Sequence, residues 1–214
     1  ITDVVLTHNH GDHTGGLLAL RRELAKENPA ELKRSHVARG IFWSRPSASG
    51  DREGNTMIAV KPAYEATGAT FVEHQKPVEL LPGVWLTGPV PRVHPERNWS
   101  RAGKVRAPEG LVEDTVPEDQ SLVMDTDQGL VLVAGCGHAG IINTIEYARR
   151  QVRPAPVHAA LGGFHLFPAD DQALDWTAGQ LRKFGLQNLL GAHCTGVEAV
   201  FRLRQAAGLT RATC

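Results

Sequence analysis

One arrangement recurs along this chain and constrains it most: an apolar, β-branched run ends in small residues and a histidine, and a helical pattern follows. It opens the sequence, where ITDVVLTHNHGDHTGG sets His8, His10, Asp12 and His13 behind the run DVVLT and ahead of two glycines. It returns in GLVLVAGCGHAG before IINTIEYARRQV, in VHAALGGFHL before DQALDWTAGQLRKFG, and in NLLGAHCTG before VEAVFRLRQAAG. Continuous apolar runs read as buried strands, and apolar residues at helical spacing with charges opposite read as amphipathic helices. Strands alternating with helices make an α/β chain, and the histidines fall in its strand-to-helix loops.

The remaining segments fit between these units. GGLLALRRELAKEN is a helix closed by Asn28-Pro29, HVARGIFW a short strand, and SRPSASGDREGN an exposed loop. PAYEATGA reads as a short helix and TFVEH as a strand. VELLPGVWLTG gives two short strands about a Pro-Gly turn, and SLVMDTDQGLVLVAG gives a hairpin about Thr126-Asp127-Gln128-Gly129. From Pro91 to Asp119 the chain is poor in periodicity and rich in proline and charge, which predicts a long lid or binding loop.

Bulk properties exclude several classes. A chain of 214 residues can bury one sizeable core, so a single domain over residues 1–214 is expected. Lys plus Arg is 23 and Asp plus Glu is 23, which leaves no net field for a polyanion and argues against a nucleic-acid partner. No apolar run approaches the roughly 18–20 residues of a membrane span, and the start lacks the order of a secretory signal. Cys136, Cys194 and Cys214 make an odd set without short pairing, so a cytoplasmic protein without a disulfide framework is expected. Ile1 has no Met before it and already leads into a strand, so sequence upstream of it is expected.

His8, His10, Asp12 and His13 are the chemical centre of this reading. In extended chain His-x-His puts both rings on one side, so His8 and His10 can share an ion. Asp12 and His13 are adjacent, point differently, and can serve a second ion, with Gly11 allowing the tight turn. Neutral imidazole and carboxylate are the ligands of catalytic zinc, with manganese or iron(II) as other occupants, and paired ions sit about 3.5–4 Å apart. Two ions need more than four groups. His138 and His193 stand at later strand ends among small residues and are the candidates to complete the set.

THNHGDHTGG matches the H-x-H-x-D-H signature of the metallo-β-lactamase superfamily, and the chain resembles that superfamily from Ile1 to about Leu203. EDQSLVMDTDQGLVLVAGCGHAGIIN, LGGFHL and GAHCTG resemble most closely the branch named after the dihydropterin-forming ribofuranosylaminobenzene 5'-phosphate synthase. The resemblance implies a four-layer αββα sandwich, with N-terminal strands that precede the histidine signature missing from this sequence. It implies that His8 and His10 help hold a first metal, and that Asp12, His13 and His193 hold a second. Where most of the superfamily has a bridging Asp after the hairpin, this chain has Gly135-Cys136; either the Cys136 thiolate replaces the bridge or His138 takes over, and His138 is preferred. Glu118-Asp119-Gln120 occupies the place of a usual histidine, so Asp119 either supplies a hard oxygen or caps the loop.

The remaining candidates are assigned by context. His165 either sits in the mouth of the site as a substrate-binding or proton-transfer group or is an ordinary strand-end residue. Arg92 can hold an anionic substrate group or remain solvated. Cys194 packs against or supports its ligand neighbour, and His36, His74, His94 and His158 are structural. The expected activity is that of a metal-dependent hydrolase: a hydroxide on one or two Zn2+ ions (Mn2+ or Fe2+ in their place) attacks an ester, amide or phosphoester, with Asp12 orienting it or taking its proton. The substrate is a small molecule, anionic in the phosphoester case. A transferase resembling the synthase of the named branch is one alternative, and a metal-binding protein without turnover is another.

Overall fold

The computed structural model describes residues 1–100 and 102–214. In chain order its elements are β1 (Asp3–Val5), α1 (Gly11–Thr14), α2 (Leu17–Leu24), β2 (Arg34–Ala38), α3 (Met57–Glu65), β3 (Thr70–His74), β4 (Val78–Leu81) and β5 (Val84–Leu86). There follow β6 (Lys104–Ala107), β7 (Gly110–Glu113), β8 (Leu122–Thr126), β9 (Gly129–Ala134), α4 (Ile141–Gln151), β10 (Val157–Gly162), α5 (Asp171–Lys183), β11 (Asn188–Gly191) and α6 (Val197–Ala206). They group into two compact units, Ile1–Gln75 with Ser100–Glu118, and Lys76–Trp99 with Asp119–Cys214. Among the described residues no helix is long and apolar enough to cross a membrane.

In the first unit β1, β2 and β3 form a parallel sheet in that order, with Val5 opposite His36 and His36 opposite Val72. Side chains alternate across it. Val4, Val37 and Phe71 join Leu6, Leu17, Ile41, Met57 and Tyr64 in a core, where each fully buried large side chain contributes about 1.5–3 kcal/mol. The other face carries a polar chain: Arg34 makes two hydrogen bonds to Asp3 at 2.6 and 2.7 Å, and His36 links Asp3 to His74 at 2.9 Å on each side. Arg34 therefore holds the Asp3 carboxyl below the usual carboxylate range.

Two expectations shift here. The helix expected at PAYEATGA instead runs Met57–Glu65 with Pro62 inside it, because Met57, Val60 and Tyr64 fall at core-facing helical spacing. The irregular segment expected from Pro91 to Asp119 contains the antiparallel pair β6–β7, Val105 opposite Val112, turning at Gly110 with φ +127°. Its short alternation K-V-R-A, with Val105 and Ala107 buried, is too brief to stand out among the surrounding charges.

The second unit is built on a six-stranded sheet of order β11-β10-β9-β8-β5-β4. β9, β10 and β11 run parallel, and the hairpins β8–β9 and β4–β5 fall where their turn residues place them. Leu130 and Leu132 of β9, Val157 and Ala160 of β10 and Leu189 of β11 bury against Ile141, Ile145, Leu174, Leu181 and Leu203 of the three helices. Asp170 starts α5 by accepting the Ala173 N–H at 2.8 Å. Glu96 does the same for α4, taking the N–H groups of Ile142 and Asn143 at 3.1 and 2.8 Å, since the residue before that helix is glycine.

The ends of β9 and β10 approach closely at Gly162, which has φ +116° and whose added Cβ would overlap the Ala134 carbonyl oxygen. A Gly162→Ala variant combines a left-handed alanine with that clash. It should lose about 2–4 kcal/mol of stability in urea unfolding; an unfolding curve matching that of the parent would contradict this packing.

Candidate metal centre

In the first unit pairing continues past β1 through a hydrogen bond from Leu6 N to His36 O at 3.0 Å, after which the chain turns into α1. His8 and Asn9 are buried in this turn. The His10 carbonyl accepts the N–H groups of His13 and Thr14 at 3.0 and 3.1 Å and so starts the short helix that carries Asp12 and His13. The four side chains thereby cluster. Nε2 of His8 lies 3.1 Å from Nδ1 of His10, the His8 and His13 rings are 4.4 Å apart, and Asp12 Oδ2 is 3.3 Å from His13 Nε2. Thr7 Oγ1, at 3.0 Å, occupies Nδ1 of His8, leaving Nε2 to face His10.

This donor set fits a metal ion. Two nitrogens on one tetrahedral zinc, each about 2.0–2.1 Å from it, stand about 3.3 Å apart, close to the separation of the His8 and His10 nitrogens. Burial lowers the pKa of His10, the largest influence on it, which keeps the imidazole neutral as ligation requires.

In the second unit three parallel strands end side by side, and each releases a loop of ligand-type residues. β9 leads to Cys136 and His138, β10 to His165, and β11 to His193 and Cys194. Glycine permits the crowding: Gly163 N donates to Gly135 O at 3.1 Å, and a Cβ on Gly163 would stand 2.8 Å from Cys194 Sγ. The ligand atoms of Cys136, His138 and His165 all lie within 4.8 Å of one another, and so do those of Cys136, His193 and Cys194. His138 is buried with Nδ1 2.6 Å from the Asn98 carbonyl, which orients the ring. His165 Nδ1 is a buried nitrogen without a hydrogen-bond partner. His165 and His193 both hold positive φ, +45° and +50°, a conformation that is strained for a side-chain-bearing residue.

Asp119 caps: its Oδ2 accepts the Ala139 N–H at 2.9 Å, fixing the loop next to His138, while burial pushes its pKa up to about 6. Arg92 lies 5.6 Å from the Trp99 ring centre, donates to the Val90 carbonyl and lowers the Asp119 pKa through its charge. Cys194 stands among the ligand-type groups rather than merely beside one. The Cys136 thiol, and after it His165, pull the Cys194 pKa down to about 4 against its burial.

Sequence reasoning missed a buried network in the first unit. Glu118 accepts the Asn9 N–H at 3.2 Å and pairs with Arg45 at 2.6 Å, and Arg45 also pairs with Asp114 at 2.7 Å. Burial raises the Glu118 pKa to about 7 in spite of Arg45. Nothing in the spacing of these residues announces the network, since their partners are tens of residues away.

No protein-family model matches the chain. A structure described as Tm1679, a metal-dependent hydrolase of the β-lactamase superfamily, superposes with a TM-score of 0.74 over 96% of this chain and 73% of its own, at 24% identity. That likeness defines the fold as the metallo-β-lactamase type. Among curated sequences, the 7,8-dihydropterin-6-methyl-4-(β-D-ribofuranosyl)-aminobenzene-5'-phosphate synthase of Methanocaldococcus jannaschii is 30% identical over 200 residues, 92% of this chain and 67% of that protein. An uncharacterized protein of the same organism is 27% identical over 210 residues, 94% of this chain and 72% of its own. The chain belongs to the family of that synthase and has the metallo-β-lactamase fold.

The thiol chemistry gives a direct check on the second cluster. With its pKa lowered, Cys194 is already thiolate near neutrality, so iodoacetamide should alkylate it in metal-free protein at a rate nearly flat from about pH 6 to about pH 8. Cys214, whose pKa burial raises, serves as the internal comparison. A rate at Cys194 that climbs about 100-fold over that interval, as for an ordinary thiol, would contradict the described environment.

Proposed function

We propose that the protein is a metal-dependent hydrolase acting on an ester, amide or phosphoester of a small, anionic substrate. The observation that carries this reading is the pair of buried His8 and half-buried His10, their nitrogens 3.1 Å apart, with His13 and Asp12 beside it. Three imidazoles and a carboxylate gathered at a strand end are the kind of ligand set that catalytic zinc takes. His8, His10, Asp12 and His13 are assigned as ligands in the first unit and His138 and His193 in the second. Zinc suits a set of imidazole, carboxylate and thiolate best, with Mn2+ or Fe2+ as other occupants. A bound ion of this kind acidifies water and stabilises negative charge that develops on oxygen.

The protein side of the chemistry follows from exposure and hydrogen bonding. Asp12, whose side chain is 56% exposed, can orient the attacking water or take its proton. His165, its Nδ1 without a partner, is the candidate for proton transfer or for binding the substrate. Arg92 is the candidate anion holder. With its three cysteines as free thiols, the protein suits a reducing compartment such as the cytoplasm. A second reading, a transferase condensing an aromatic ribotide with a pterin, is favoured by the name of the 30% identical relative.

The decisive assay uses chelator-treated protein reloaded with Zn2+ or Mn2+ on a panel of phosphoesters and lactones. Hydrolysis should fall by at least about 100-fold on chelation and in His8→Ala, and return with metal only in the parent. His165→Ala should lower kcat by about 10²–10⁴-fold if it transfers a proton. Hydrolysis indifferent to chelation and to His8 would overturn the proposal, and pterin transfer in its place would establish the second reading.

A further inference from the structure

We propose that Glu118, gripped by Arg45, is a positioning residue: it holds the main chain at Asn9 so that His8 and His10 present their nitrogens together. This deepens the metal-dependent reading above and rests on it. Asn9 is the middle residue of the His-x-His motif, and its N–H donates to Glu118 Oε1 at 3.2 Å. The other carboxylate oxygen takes Arg45 Nη2 at 2.6 Å. Arg45 is itself fixed from several directions, through Nε to Asp114 at 2.7 Å and through Nη1 to the carbonyls of Gly40 and Trp43 at 3.4 and 3.2 Å. Its own N–H donates to Glu53 at 2.8 Å.

The assembly is dry. Glu118 is 0% exposed, Asn9 5% and Arg45 8%. A buried ion pair of this kind gains little over apolar side chains of equal size, because desolvation offsets the attraction. What an apolar replacement lacks is an acceptor for the Asn9 N–H. That hydrogen bond lies between the two histidines, in a turn whose flanks are already tied down: Leu6 N bonds His36 O on one side, and the His10 carbonyl starts α1 on the other. Releasing the middle leaves both flanks in place and lets the two rings move independently. Supporting hydrogen bonds of this order set ligand geometry, and their loss weakens metal affinity by about 10–100-fold.

The test uses Co2+ alone as probe, titrated into metal-free protein of the full chain, with affinity and visible absorption as readouts and thermal melting of the metal-free form as control. In Glu118→Ala the affinity should fall about 10–100-fold and the absorption at saturation should change shape, because the ligand field itself is altered. Glu118→Gln, which keeps an acceptor for the Asn9 N–H, should recover part of both. A purely structural role would lower the melting temperature and leave affinity and spectrum as in the parent, and that result overturns the proposal. Should Glu118→Ala fail to fold, Arg45→Lys takes its place: it keeps the charge and loses the forked grip, so an unchanged cobalt spectrum there is equally contrary. A parent protein that binds no cobalt would sink the metal reading and this inference together, whereas a binding parent with indifferent variants would sink the positioning role alone.

Discussion

A buried parallel strand must stop, and at its carboxyl end the chain leaves the sheet with side chains and carbonyl groups that the sheet no longer satisfies. Most of the chemistry in this protein occupies such ends. In the first unit β1 runs out into His8, Asn9 and His10, and α1 begins on the His10 carbonyl. In the second, β9, β10 and β11 stop in register, Ala134 beside Gly162 and Gly162 beside Gly191, so the loops that follow have no choice but to crowd. The crowding is tolerated because the residues at the closest points carry no Cβ, and it brings two thiols and three imidazoles into one neighbourhood.

Crowded polar groups are costly in a dry interior, so the structure around them is arranged to limit which atoms remain unsatisfied. Thr7 takes one nitrogen of His8, the Asn98 carbonyl takes one of His138, and Asp119 takes the N–H that follows His138. Each leaves the opposite nitrogen, or the loop as a whole, oriented. The two histidines held at positive φ belong to the same economy of space: His165 and His193 accept strained backbone where a regular turn would carry their rings elsewhere. In each unit it is the clustering of imidazole with carboxylate or thiol groups at strand ends that suits metal chemistry.

Much of this was legible in the sequence, and for identifiable reasons. The strand-to-helix loops could be placed because apolar runs and helical spacing are local signals, and His8, His10, Asp12 and His13 stood out because four such residues within six have no ordinary structural use. The hairpin β8–β9 followed from Asp127-Gln128-Gly129, a short-range turn signal. What stayed hidden depends on long-range contact. The grip of Glu118 on Asn9 joins positions 109 apart, and the approach of the Cys194 thiol to Cys136 joins strands whose register no single segment encodes. The β6–β7 hairpin was obscured differently, by charges on its exposed face that made an alternating pattern resemble loop. Asp119 shows the limit of motif reasoning: its place in the chain allowed a hard-oxygen ligand or a cap, and in the fold one carboxylate oxygen caps the Ala139 N–H while the other, also buried, has no hydrogen-bond partner.

If the histidine motif after β1 holds metal, as proposed, bound-metal stoichiometry will register it. Protein purified without chelator is to be analysed by elemental mass spectrometry beside His10→Ala, with both confirmed folded by circular dichroism. About one to two transition-metal ions per chain are expected in the parent, and about one fewer in the variant. A folded parent devoid of transition metal, or a His10→Ala variant that keeps the full complement, would contradict the proposal.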